Sequence, residues 1–177
     1  MKPEVKLGRV AGLQLSAEPS ALISALGLWT LLTMLGAVVI PLPMGSAIVG
    51  GLVAMLAHFL SELLHQLGHA WAARRTGYPM TGVRYWFVLG TSLYPPDEPA
   101  LPGRIHIRRA LGGPPVSILI GLIAGVLTLF INGVLGWILA FLAVDNLLVL
   151  GLGAFLPLGF TDGSTLLKWW GKRRDSL

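Results

Sequence analysis

The sequence predicts an all-α polytopic membrane protein: four transmembrane helices, with a small interfacial β-sheet between helices two and three. Three observations predict it. Hydrophobic residues make up 54% of the 177-residue chain and charged residues only 12%, a balance outside the soluble globular range. Four apolar runs approach the roughly 20 residues that span a hydrocarbon core of about 30 Å. Between the second and third runs the helical pattern gives way to VRYWFVL at 83–89, β-branched and aromatic, followed by a Pro-rich loop.

Residues 1–20, with Lys2, Lys6 and Arg9, are polar to mixed and form a cytoplasmic N-terminal segment. The apolar run after them is too long for a signal-peptide core and has no small-residue cleavage site, so no cleaved leader is expected. Residues 21–41 form the first transmembrane helix, broken by Pro41-Leu42-Pro43. The second helix, 46–75, carries His58, Glu62, His65 and His69 at spacings of four, three and four, which is one stripe, with Gln66 adjacent. Facing lipid, such a stripe costs several kcal/mol, so it faces the bundle interior or a water-filled cavity.

Arg74 and Arg75 close that helix and Gly77-Tyr78-Pro79 turns the chain into a strand and loop section, 78–111. Residues 83–89 and the alternating Arg104-Ile105-His106-Ile107-Arg108 are expected as two short strands, with SLYPPDEPALPG an exposed loop between them. Open sheet edges cannot face lipid, which places the section at the interface or along a protein-walled cavity. Gly112-Gly113-Pro114-Pro115 opens the third helix, 115–131, and Asn132-Gly133 turns into the fourth, 134–157. Asp145-Asn146 interrupts the fourth helix near its middle. Residues 158–177 hold Asp162, a short amphipathic piece at 164–170 and the basic tail Lys172-Arg173-Arg174.

All thirteen Lys and Arg fall in the N-terminal segment, the 74–109 section and the tail, and none in the two short turns. By the positive-inside rule both termini and the central section are cytoplasmic, and the expected location is a prokaryotic plasma membrane. The positive charge has no basic helix or aromatic interleaving for nucleic acid; its partner is the lipid bilayer, with Arg104, Arg108 and Arg109 expected at lipid phosphates. Without cysteine there is no thiolate ligand or nucleophile, and any zinc site must use His and carboxylate. No internal repeat favours a metal carrier. There is no G-x-S-x-G and no pair of aspartyl-protease motifs around Asp145 and Asp162.

The chemistry sits in His65-Gln66-Leu67-Gly68-His69. Two histidines four apart on a helix lie about one turn apart, close enough to share a metal at about 2.0–2.1 Å. Orientation brings Asp162 to the same side as a third ligand. In H-E-x-x-H the second residue is the general base, and here that position is Gln66. His58 is expected to hydrogen-bond a neighbouring helix, and His106 to be solvated on a strand. Asp145 is expected to be neutral or to face a water-filled cleft, and the tryptophans at 71, 86, 137, 169 and 170 to anchor at the interface.

HQLGHAWAARRTG resembles the HELGHxxxARxxG segment of the site-2 protease family of intramembrane zinc metalloproteases, and AFLPLGFTDG at 154–163 resembles its NLLPxPPLDG segment. The resemblance covers residues 1–177 as a single membrane domain. It implies Zn2+ held by His65, His69 and Asp162, and a transmembrane peptide as substrate, held extended at the edge of the small sheet and contacted by Asn146. Three departures stand out: Gln66 for the glutamate, Ala154 for an asparagine, and Gly159-Phe160-Thr161 for Pro-Pro-Leu. A carboxamide cannot accept and return a proton at neutral pH, which forfeits roughly 10²–10⁴ in rate. An inactive or impaired scaffold is expected; a non-catalytic binder of transmembrane peptides is the alternative. Gln66 is open to three accounts: an engineered trap, a natural loss of catalysis, or a natural variant with its base elsewhere. Glu62, one turn deeper, is placed to reach the metal or a ligand histidine. Oligomeric state is not legible.

Overall fold

The computed structural model describes residues 4–172, so Lys2 and the tail residues Arg173 and Arg174 lie outside the described residues. Its first elements correct the expectation for 1–20. Strand β1 (Val5–Val10) and strand β2 (Leu13–Ala17) form an antiparallel hairpin closed by Ala11-Gly12, at φ 52° and 84°. Two residues at positive φ make the tight turn that matches the twist of flanking strands. The signal was present in the sequence as two short alternating runs on either side of Ala-Gly.

Helix α1 (Pro19–Val38) has Pro at its first turn and no charge; among its residues only Ala21, Leu32 and Gly36 are buried. Its remaining apolar surface is available to lipid. Helix α2 (Met44–Arg75) has 32 residues, about 48 Å at 1.5 Å per residue, longer than a hydrocarbon core. The two pack closely because the contact is built from small residues. A Cβ on Gly51 would lie 2.8 Å from the Thr33 backbone nitrogen, and one on Gly36 would touch Ala47.

After α2 come β3 (Gly82–Trp86) and β4 (Leu89–Leu93), antiparallel around Phe87-Val88. β2 pairs with β3 in parallel, so α1 and α2 together form the crossover, and the sheet order is β1-β2-β3-β4. The sheet therefore joins the N-terminal hairpin to the section after α2, where the sequence pointed only to the latter. Leu13, Leu15 and Val83 pack on Ala70 and Ala73, which fixes it against the C-terminal half of α2.

The second expected strand, 104–108, is instead helix α3 (Gly103–Ala110). Five alternating residues are too few to separate period two from period 3.6, and burial settles it: Ile105 and Arg109, four apart, are both buried. Helix α4 (Gly113–Leu127) and helix α5 (Gly133–Val144) follow. From Asp145 to Leu152 the helix widens into π-type turns, tightens to a 3₁₀ turn at Gly153–Phe155, and a loop leads to α6 (Asp162–Trp170). The Asn146 amide explains part of the widening, since it donates to the Leu142 carbonyl at 3.1 Å and competes for a ladder acceptor. Among the described residues, four helical stretches are long and apolar enough to cross a membrane: Pro19–Val38, Met44–Arg75, Gly103–Leu127 and Gly133–Phe155.

Candidate metal centre

His65 and His69 lie one turn apart on the face of α2 that meets α4, and both are about 5% exposed. Glycines make that contact. A Cβ on Gly68 would overlap the Gly112 carbonyl, and one on Gly113 would overlap Nε2 of both histidines. The start of α4 thus leaves a space that only a glycine leaves, and the imidazoles fill it.

The close approach also supplies the groups that aim the rings. Nδ1 of His69 donates to the Arg109 carbonyl at 2.8 Å, which leaves its Nε2 as a lone pair, and Nδ1 of His65 meets Ser117 Oγ at 2.9 Å. Both Nε2 atoms point at one spot, 2.9 Å apart. Asp162, the first residue of α6, closes the group with Oδ2 at 3.5 Å from His65 Nε2 and 3.3 Å from His69 Nε2. Ligands bound at about 2.05 Å in tetrahedral geometry stand about 3.3 Å apart, so the three donors fit zinc. Among the described residues these are the three His and carboxylate side chains grouped this way, with all their ligand atoms within 4.8 Å of one another.

Beside this group opens a cleft of about 630 Å³, walled by β4, the π-type segment and the loop before α6. Gln66 lines it with its side chain bonded to α2 and β4. Its Nε2 donates to Glu62 Oε1 and to the Gly90 carbonyl, each at 3.0 Å, and its Oε1 accepts from Ser92 Oγ at 2.7 Å. Glu62 Oε1 also accepts the Gly90 N–H at 2.8 Å. One turn earlier on α2, His58 places Nε2 2.8 Å from the Val88 carbonyl and Nδ1 3.0 Å from both oxygens of Asp145. The ring is thus held at both ends, by the Val88 carbonyl and by the Asp145 carboxyl. The polar stripe of α2 therefore divides: His58, Glu62 and Gln66 hold β4 and the turn before it, while His65 and His69 face α4.

Asn146 does not line the cleft. It is fully buried, with Nδ2 on Ser61 Oγ at 3.0 Å. Arg109 also departs from expectation. Instead of meeting lipid it is 4% exposed, donates to both oxygens of Glu98 and to the Tyr78 carbonyl, and stacks 4.0 Å from the Tyr94 ring. His106 lies flat on Trp169, ring centroids 4.2 Å apart. Ser117 and the Arg109 carbonyl were missed from sequence; Gly113-Pro114 stood out as a position resembling the family's, but not its contact with the two histidines.

No family model matches the sequence. The chain is 32% identical over 194 aligned positions to the "Putative zinc metalloprotease Rip3" of Mycobacterium tuberculosis, in strains Erdman and H37Rv alike. That match takes in 100% of this chain and 46% of Rip3, so the chain spans about half the length of these relatives. The solved structure of the site-2 protease from Methanocaldococcus jannaschii aligns with a TM-score of 0.70 at 17% identity, covering 97% of this chain and 73% of that one. This integral membrane chain thus has the fold of that site-2 protease and is similar along its whole length to a zinc metalloprotease homologue.

Proposed function

We propose that the chain is a zinc-binding intramembrane peptidase scaffold that takes in an unwound segment of a transmembrane peptide, and that it is impaired in cleavage as written. The observation that carries this reading is the division of the α2 stripe: three zinc-type donors converge, while the residue at the general-base position is bonded to a strand. His65, His69 and Asp162 would hold the ion, which when bound supplies Lewis-acid polarisation of a peptide carbonyl and of water. The chain's own groups do the rest. Ser117 and the Arg109 carbonyl fix the rings, and the cleft wall at β4 offers main-chain groups to an extended peptide.

Gln66 has no proton to take up or return at neutral pH. Glu62 is spoken for by Gly90 and Gln66, which favours a positioning role over that of a base. The three-bond engagement of Gln66 also supports a second reading, a non-catalytic binder of transmembrane peptides.

The test is zinc content and cleavage of a single-span peptide by this chain and by Gln66→Glu, side by side. A carboxylate at 66 cannot donate to Glu62 or to the Gly90 carbonyl, so it leaves the strand for the cleft. About one zinc in both forms, with at least about 10²-fold more cleavage by the glutamate form, is the expected result. Zinc in both with cleavage in neither favours the binder. Absence of zinc in both overturns the metal centre.

A further inference from the structure

The α2 side chains and the strand they hold have matching repeats. Four residues of helix rise about 6.0 Å and two residues of strand about 6.8 Å, so His58, Glu62 and Gln66 keep level with Val88, Gly90 and Ser92. β4 is the last strand of the sheet order. Its outward N–H and C=O groups would otherwise form an open edge, the template on which an extended chain adds. Both main-chain groups of Gly90 point outward, because both bond to α2 side chains. By the alternation of an antiparallel ladder, those of Ser92 face the same way.

We propose that Glu62 and Gln66 occupy the place of a peptide backbone on the open edge of β4, and that an extended peptide enters the cleft by exchanging with them at Gly90. This rests on the peptide reading above. The two side chains present what one peptide residue presents to an edge: the Glu62 oxygen accepts the Gly90 N–H, and the Gln66 amide donates to the Gly90 carbonyl. A glutamate could not make the second bond, so an amide is what this rung requires. There is also no room for a side chain at the rung, since a Cβ on Gly90 would lie 2.8 Å from Glu62 Oε1. His65, His69 and Asp162 line the same cleft, so a peptide laid on Gly90 to Ser92 shares it with them. His58 holds Val88 independently, so the turn stays anchored while the rung exchanges.

The chain has no cysteine, which makes cross-linking clean. The experiment uses the full chain in lipid nanodiscs and a fluorescent single-span peptide with a Gly-Pro-loosened centre and single cysteines at successive positions. Gln66→Ala removes the three bonds that Gln66 makes, to Gly90, Glu62 and Ser92, and is expected to tighten peptide binding by about fivefold to tenfold. Ser92→Ala removes one and is expected to tighten it by about twofold to threefold, leaving α2 untouched should the first variant not fold. Cross-links from Thr91→Cys are expected at alternate peptide positions, the period of an added strand. Affinity unchanged or weaker in the variants that fold, or cross-links spaced by three and four, overturns the exchange alone. No peptide binding by any form overturns the exchange together with the peptide reading.

Discussion

Arg109 shows what a single buried charge imposes on its surroundings. Its guanidinium lies inside the protein, and the Glu98 carboxylate, from a loop eleven residues earlier, answers it with both oxygens. The Arg109 hydrogen bonds hold the Glu98 carboxyl below the usual range, with burial opposing and the Arg109 charge reinforcing the shift. A carboxylate depressed in the folded state stabilises it fully above its unfolded value, about 4.3, and loses that contribution as pH falls through the folded value. Glu98→Gln is therefore expected to lower stability by about 1.5–3 kcal/mol at pH 7. The gap from the parent chain should close as pH falls through the depressed folded value, where a protonated Glu98 is itself neutral. Thermal unfolding in detergent across pH checks this, and a gap independent of pH would show that the pair is not ionic. At this scale the sequence was legible where spacing alone decides, as for His65 and His69. It was not legible where the partner is remote: nothing local to Gln66 points to Gly90 or Ser92.

Between elements, the controlling feature is how closely α2 and α4 approach. Gly68 and Gly112 let the backbones meet, and Gly113 leaves the volume that the imidazoles occupy. Gly113→Ala adds one methyl where there is no space, and overpacking of that kind costs typically 1–3 kcal/mol or displaces its neighbours. Displaced histidines cannot converge, so zinc bound per chain is expected to fall well below one under conditions that saturate the parent. Metal analysis of the purified, folded variant checks this; full occupancy would mean the rings have freedom the packing denies. The helices themselves were legible because an apolar run of spanning length is a coarse signal. The sheet was less so, because β2 and β3 are separated in sequence by two whole membrane helices and their pairing leaves no local trace. Over 104–108 a five-residue alternation served helix and strand equally, and only the burial of Ile105 with Arg109 separates them.

For the molecule as a whole, topology and charge bear on the same question of sidedness. The parallel pairing of β2 with β3 requires α1 and α2 to leave the sheet and return to it, so the N-terminal hairpin and the section after α2 share one side. That side carries Arg74, Arg75, Arg84 and the arginines of α3, while the turns at 39–43 and 128–132 carry none. The asymmetry favours an orientation with the sheet, α3 and the loop holding Asp97 in the cytoplasm. In this cysteine-free chain single cysteines report sidedness directly. Asn132→Cys, in the exposed turn before α5, is expected to react with a membrane-impermeant maleimide in intact cells. Asp97→Cys, exposed in the loop before α3, should react only after lysis. The reverse pattern would put the mouth of the cleft outside and overturn the charge argument. Reaction of both in intact cells would break the four-span topology, because an even number of spans keeps every sheet-side segment in one compartment and both uncharged turns in the other.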